Sequence, residues 1–403
     1  MGIDLIIAAI AGIGAGIFTG LVPGIHVNLV SVLLITLSSS LLGFASPLAL
    51  ATFIISLGIT HTFLDSIPSI FLGAPDADMV MGVLPGHRLL LEGRGFEAVK
   101  LTVVGSFLSL LGTLLVVPLL IPVFPFLHNL IEPYLAYLLI LVILFMVWKE
   151  KRLRKMMWAI IVFFLSGVLG IVTLGWPNLN QPLFPLLSGL FGVSTLLLSL
   201  QQNVKIPPQL ISETVKIDKL SQAKAILAAM LSGGLAGLLP GLGSAQAAIL
   251  AMELVPGLNM FAFLILVGGI NTVNFAVSLV TLYTLGKARN GAVVAVLELL
   301  KTITTTQLLI FLGTALFAGS IATLLTLFIA KKFAVWMEKV NYRKLCLMVI
   351  AFITILSFVF DGFLGLLILG TSTALGLLSP LLGIKRSNAM GCLLLPVILF
   401  FLL

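Results

Sequence analysis

Residues 16–34 read "GIFTGLVPGIHVNLVSVLL" and residues 233–251 read "GGLAGLLPGLGSAQAAILA". Gly16, Gly20, Pro23 and Gly24 return as Gly233, Gly237, Pro240 and Gly241, each 217 positions on. Proline has no amide hydrogen and pushes the residue before it out of the α region. Glycine admits backbone angles that other residues avoid. A helix is therefore expected to stop near Leu21 and another to start just after Gly24. The equivalent break is expected between Leu239 and Gly241. The chain builds one interrupted apolar segment twice.

The rest of the chain says where these segments lie. Its 403 residues are 60% hydrophobic and 9% charged, with a mean hydropathy of +1.25, against roughly 25% charge in a soluble domain. Apolar runs close to the ~20 residues that cross hydrocarbon recur at Leu101–Leu120, Leu135–Trp148, Met157–Leu174, Leu308–Ala330 and Leu345–Phe360. They are continuous, where a β-barrel would alternate. The reading is an all-α polytopic membrane protein. The N-terminus lacks a basic region and a cleavage site and reads as mature membrane structure. Cys346 and Cys392 lie in apolar runs as core residues. No metal-ligand spacing, phosphate-binding loop or nucleophile elbow occurs. No enzyme activity, resident metal or cofactor is expected, beyond a coupling H+ or Na+.

The net charge of +8 sits in short loops between apolar runs, which marks cytoplasmic loops and lipid headgroups rather than nucleic acid. The basic loops are "KEKRLRK" (149–155), the stretch 205–224, "KKFAVWMEKVNYRK" (331–344) and "GIKRSN" (383–388). Between them the chain turns at "GWPNLNQP" (175–182) and at Asp361–Gly362. When residues 107–124 are laid on 308–325, each basic loop of one half falls opposite an uncharged or acidic segment of the other. The expectation is two inverted-topology repeats with broken, re-entrant helices. Residues 1–204 form the first, 205–221 a cytoplasmic linker, and 222–403 the second. Both termini face outwards from the cell membrane of a prokaryote. Inverted repeats with matched helix breaks are the architecture of secondary transporters.

A restarted helix offers free amides and the positive end of its dipole, which favour an anion. The polar residues at the breaks are His26, Asn28 and Ser31 after Gly24, and Gly243, Ser244 and Gln246 after Gly241. They form a candidate site for a small organic anion. Asp65 lies deep in an apolar run, where a charge costs at least ~2.5–3.5 kcal/mol. With Asn271 and Asn274 it is the candidate site for a coupling ion; the plainer reading is a helix cap or a pair with His61. Asp76 and Asp78 are placed at a membrane surface. Arg88 and Arg94, in an interfacial helix over 84–100, are placed at headgroups. Lys287, Arg289 and Lys301 fall on the outer side. Either that segment folds back to offer cations to a substrate, or the local topology differs.

With these residues in view, the chain resembles the large membrane subunit of tripartite tricarboxylate transporters, in a short archaeal form. The motifs that carry the resemblance are "GLVPGIHVN" (20–28), "AGLLPGLGSAQAAIL" (236–250) and "VLPGHRLLLEGRGFEAV" (83–99). The resemblance implies ion-driven uptake of di- or tricarboxylates, with a small membrane subunit and an extracytoplasmic binding protein as partners. It implies that Pro23–Gly24 and Pro240–Gly241 frame the carboxylate. Broken repeats also resemble those of polyprenyl-phosphate translocases, which would hold a phosphate at the same helix starts. A membrane enzyme using His61 and Asp65 for acid–base work is the third reading, and no second catalytic constellation supports it.

Overall fold

Two apolar stretches lack any polar stripe, and the fold encloses both. The computed structural model describes residues 2–25, 27, 30, 43–74, 77–177, 179–201, 206–211, 215 and 217–403. Among the described residues there is no β-strand, and eight helical segments are long and apolar enough to cross a membrane. The chain is an all-α polytopic membrane protein.

In the first half lie α1 (Ile3–Leu21), α2 (Pro47–Leu64), α3 (Val80–Leu91), α4 (Gly95–Ile131), α5 (Leu135–Trp148), α6 (Leu153–Leu174) and α7 (Leu183–Gln201). In the second lie α8 (Lys219–Leu238), α9 (Ser244–Leu254), α10 (Met260–Leu285), α11 (Gly291–Leu300), α12 (Thr305–Met337), α13 (Tyr342–Leu382) and α14 (Gly391–Leu402). The span that begins with α2 is 83% buried and that of α10 is 89% buried, against 22% for α13. A helix that is apolar all round belongs inside; α13 instead turns Phe363 and Leu367 outward.

Starts are set by short polar side chains. Asp218 accepts from the Ser221 amide at 2.8 Å, Asn259 from Ala262 at 2.8 Å and Asn290 from Val293 at 2.9 Å. Thr304 and Gln307 close a capping box on α12. Each satisfies an amide that the first helical turn leaves free.

Helix directions follow from the contacts. Gly12, Gly16 and Gly20 of α1 pack successively on Phe53, Leu57 and His61 of α2, so these two run parallel. Gly233 and Gly237 of α8 pack on Ile270 and Asn274 of α10 in the same sense. Between α2 and α10 the order reverses: Gly58 meets Phe275, Thr62 bonds Thr272 at 3.0 Å and Asp65 bonds Asn271 at 2.6 Å. The pair α1–α2 therefore runs opposite to the pair α8–α10. The outer layer packs likewise: α12 lies on α2, and α4 on α10.

A further crossing is built twice. Gly391 of α14 meets the Phe163 carbonyl and Ser166, and Gly170 of α6 meets the Cys392 carbonyl. Gly189 of α7 meets the Leu369 carbonyl and Ser372, and Gly376 of α13 meets the Leu190 carbonyl. Positions 163, 166 and 170 thus correspond to 369, 372 and 376, while 391 and 392 correspond to 189 and 190. At all four glycines a Cβ would strike the facing chain.

Connections with the same charge character touch. Lys155 donates to the Gly383 carbonyl at 2.5 Å and the Lys385 amide to Glu150 at 2.9 Å, joining 149–155 to 383–388. The Gln209 amide donates to Glu338 at 2.8 Å, joining the linker region to the end of α12. The Asn180 amide donates to Asp361 at 2.6 Å, joining the two turns that carry no basic residue.

Two expectations are corrected. The apolar run read as Leu101–Leu120 extends further, because α4 continues through Pro118, Pro122 and Pro125 to Ile131. Each proline removes one donor, and with no water in hydrocarbon to compete, the remaining ladder holds. The 331–344 loop is mostly helix, because α12 runs to Met337. Arg94 forms a two-point ion pair with Glu97 at 2.7 and 2.9 Å.

The duplicated crossing makes a symmetrical prediction. Gly170→Val and Gly376→Val should each lower stability by ~1–3 kcal/mol through overpacking, read as thermal unfolding in detergent. Gly234→Ala, where a side chain meets open space, should leave the transition unchanged or slightly higher. Loss of stability in only one of the two valine variants would break the equivalence.

Candidate functional site

Both proline–glycine turns open onto one cavity. The α1 helix stops at Leu21, and Gly24 takes φ +88°. The α8 helix stops at Leu238, Leu239 leaves the helical region at φ −96°, ψ 136°, and Gly241 takes φ +73°. A positive φ is where glycine costs least, so a side chain at Gly24 or Gly241 would strain the turn. The second restart comes at Ser244, three residues later than the proline alone suggests, because Leu242 and Gly243 stay extended. Gly24, Gly241 and Gly243 share the wall of a cavity of about 420 Å³.

The wall is polar where the turns meet it. Gln246 lies in the first turn of α9, whose N-cap Gly243 supplies no side-chain acceptor. The amides of Ser244, Ala245 and Gln246 are thus donors that the helix itself does not use. Ser244 is buried behind the wall and accepts from Asn274 Nδ2 at 3.0 Å, which holds Asn274 on the cavity side. Asn290 and Gly291 bring a second helix start, that of α11, to the same wall.

Arg289 completes it. The segment after α10 folds back, and Arg289 lines the cavity with Nε and Nη2 buried and without a hydrogen-bond partner among the described residues. Burial lowers its pKa from the ordinary value and the Glu132 carboxylate raises it. A guanidinium remains charged under either influence. Lys287, in the same segment, stands 3.2 Å from His128 Nε2, which also lies 3.1 Å from Glu132. This contact ties the segment to the end of α4. A guanidinium on the same wall as two helix starts has the chemistry that favours a carboxylate or phosphate.

The opposite wall comes from unexpected places. Asp361, at the helix break where Gly362 takes φ 59°, accepts from the amides of Asn180 and Gln181 at 2.6 and 3.0 Å. That clamp sets Gln181 and Phe184 against the cavity. Asp78, expected at a membrane surface, also lines it.

The other predicted residues divide. Asp65 is buried at the end of α2 and accepts from Asn271 Nδ2 at 2.6 Å. These two coupling-ion candidates meet, away from the cavity wall, while Asn274 belongs to the cavity. His61 Nδ1 stands 3.0 Å from Thr19 Oγ1, which also reaches the Gly16 carbonyl at 3.3 Å. His26, Asn28 and Ser31, and with them the restart of the first broken helix, lie outside the described residues, as does Asp76. Sequence reasoning placed no role on Gln181, Phe184 or Asn290. Arg289 had a signal, a cation where the charge pattern did not want one.

Comparison with known proteins gives the lineage. The model of the tripartite tricarboxylate transporter TctA family matches residues 6–391. An uncharacterized protein of Methanocaldococcus jannaschii is 30% identical over 402 residues, covering 98% of each chain. No solved structure matches. A match across nearly the whole length joins the helix breaks, the cavity and the outer spans in one assignment: the chain belongs to the TctA family, the large membrane subunits of tripartite tricarboxylate transporters.

Proposed function

We propose that this subunit carries a small organic anion of the di- or tricarboxylate class, driven by an ion gradient and bound between Gly24 and Gly241. The family is a transporter family rather than an enzyme family, and its systems include a small membrane subunit and a binding protein. The observation that carries the finer reading is Arg289, with unused buried donors in the cavity where both turns meet. The α9 amides, Gln246 and Asn274 supply the remaining hydrogen bonds. His26, Asn28 and Ser31 belong to the same proposal from the first repeat.

The two halves are proposed to form an inverted repeat. Support comes from the opposed directions of α1–α2 and α8–α10 and from the twice-built glycine crossing. Such a pair can rock around a fixed central site, which is how alternating access works in repeat-built carriers. Asp65 with Asn271 is proposed as the coupling site. An enclosed carboxylate hydrogen-bonded by a neutral amide is suited to gain and lose a monovalent cation.

Uptake of labelled di- and tricarboxylates into proteoliposomes, reconstituted with the partner subunits, tests the reading. Gradient-dependent uptake is expected for at least one of them, and retention of polyprenyl phosphate with no carboxylate uptake would replace it. Arg289→Gln should weaken binding about ten- to hundredfold, the equivalent of one charge-assisted bond, with Arg289→Lys intermediate because the fork is lost. Calorimetric titration of the purified subunit measures both. Asp65→Asn should abolish the dependence of uptake on the ion gradient while anion binding measured without added Na+ and at fixed pH stays within about threefold, since Asp65 is not on the cavity wall. A parallel loss of binding would move Asp65 out of the coupling role.

A further inference from the structure

The turn that carries Gly24 into the anion cavity presents Leu21, Val22 and Pro23 to a second one, of about 610 Å³. Its other walls are Leu72 and side chains of α12 and α13, with Lys332 as the single charged residue among the described lining. Phe333 packs on Phe71 at 6.0 Å and against Trp336 at 5.8 Å, which fixes Trp336 as one wall. Lys332 lies four residues before Trp336, on the same face of α12. Its ammonium stands 5.5 Å from the Phe328 ring centre and forms no ion pair among the described residues.

The charge around that end is one-sided. Residues 331–344 contain Lys331, Lys332, Lys339, Arg343 and Lys344 against one acid, Glu338. Glu338 is engaged by the Gln209 amide at 2.8 Å. An apolar slot with an ammonium at one end and a tryptophan beside it has the polarity of one half of a lipid: chain inside, anionic headgroup at the lysine, aromatic ring at the boundary.

We infer that this cavity holds an acyl chain of an anionic phospholipid, its phosphate beside Lys332 and its chain directed along α13 towards Pro23. The chain then fills the apolar side of the first break, whose other side faces the anion. This inference stands on the second cavity and the lysine cluster alone. It does not require that the transported anion be a carboxylate.

Trp336 is the reporter. The full subunit is reconstituted in phosphatidylcholine vesicles with equal fractions of either bromine-labelled phosphatidylglycerol or bromine-labelled phosphatidylcholine. The Trp336 contribution is the difference between the wild-type protein and Trp336→Phe. The expected result is an apparent affinity about fivefold higher for the anionic lipid, the equivalent of ~1 kcal/mol for one basic side chain beside a phosphate. Lys332→Gln should bring the two lipids level, and Lys332→Arg should keep the preference. Should Trp336→Phe not fold, native mass spectrometry replaces it: phosphatidylglycerol retained by the wild type and lost from Lys332→Gln. Equal quenching by both lipids in the wild type would overturn the inference. So would a Trp336 that neither lipid quenches, because protein then fills the slot.

Discussion

A peptide group in hydrocarbon has no solvent to bond, so every interruption of a membrane helix has to be answered by protein or by an enclosed aqueous space. Pro23 and Pro240 impose such interruptions, and Gly24 and Gly241 let the chain turn at positive φ once the helix has stopped. Neither turn can leave its backbone polar groups to lipid. Both face the same cavity. Arg289 and residues at the starts of α9 and α11 line that space, so its polar groups are placed by the fold before any ligand arrives. That is the general requirement for an anion site that costs little reorganisation.

Holding the turns together requires the enclosing helices to approach closely. Between helices in lipid there is no hydrophobic driving force, so contact area and local hydrogen bonds carry the association. The first half meets this with Gly12, Gly16 and Gly20 against α2, and with Ser56 donating to the Ala9 carbonyl at 2.7 Å. The second half meets it with Gly233 and Gly237, and with Thr281 donating to the Gly237 carbonyl at 2.8 Å. The same glycines that made the two stretches look alike are therefore packing residues. Only Gly24 and Gly241 are there for the turn itself.

This division explains what could be read from the sequence. The breaks were legible because proline and glycine act on their own backbone, and the spans because hydropathy is local. The basic segments touch in pairs, 149–155 with 383–388 and the linker region with 331–344. The prolines at 118, 122 and 125 misled, because a proline ends a helix only where something else satisfies the freed carbonyl. Gln181 and Phe184 were invisible: they reach the cavity through the bond from Asp361 to a loop 180 residues away in sequence. The second crossing was hidden for a related reason. Its signature is which carbonyl each glycine meets, and the flanking sequences share little beyond small residues.

One helix connects the two chemistries. On α10, Asn271 donates to Asp65, and Asn274, one turn further, donates to Ser244 at the start of α9. Residues three apart share a helix face, so a shift of α10 along its axis changes both bonds together. Thr62 and Thr272 add a third link on the α2 side. An ion at Asp65 competes for the Asn271 amide, and an anion at the α9 start competes for the position that Asn274 holds. On the proposed sites, each ligand biases α10, and binding at one would alter affinity at the other by the same free energy. Such coupling would run through α10 itself, which is enclosed along most of its length and packs on α2 and α4.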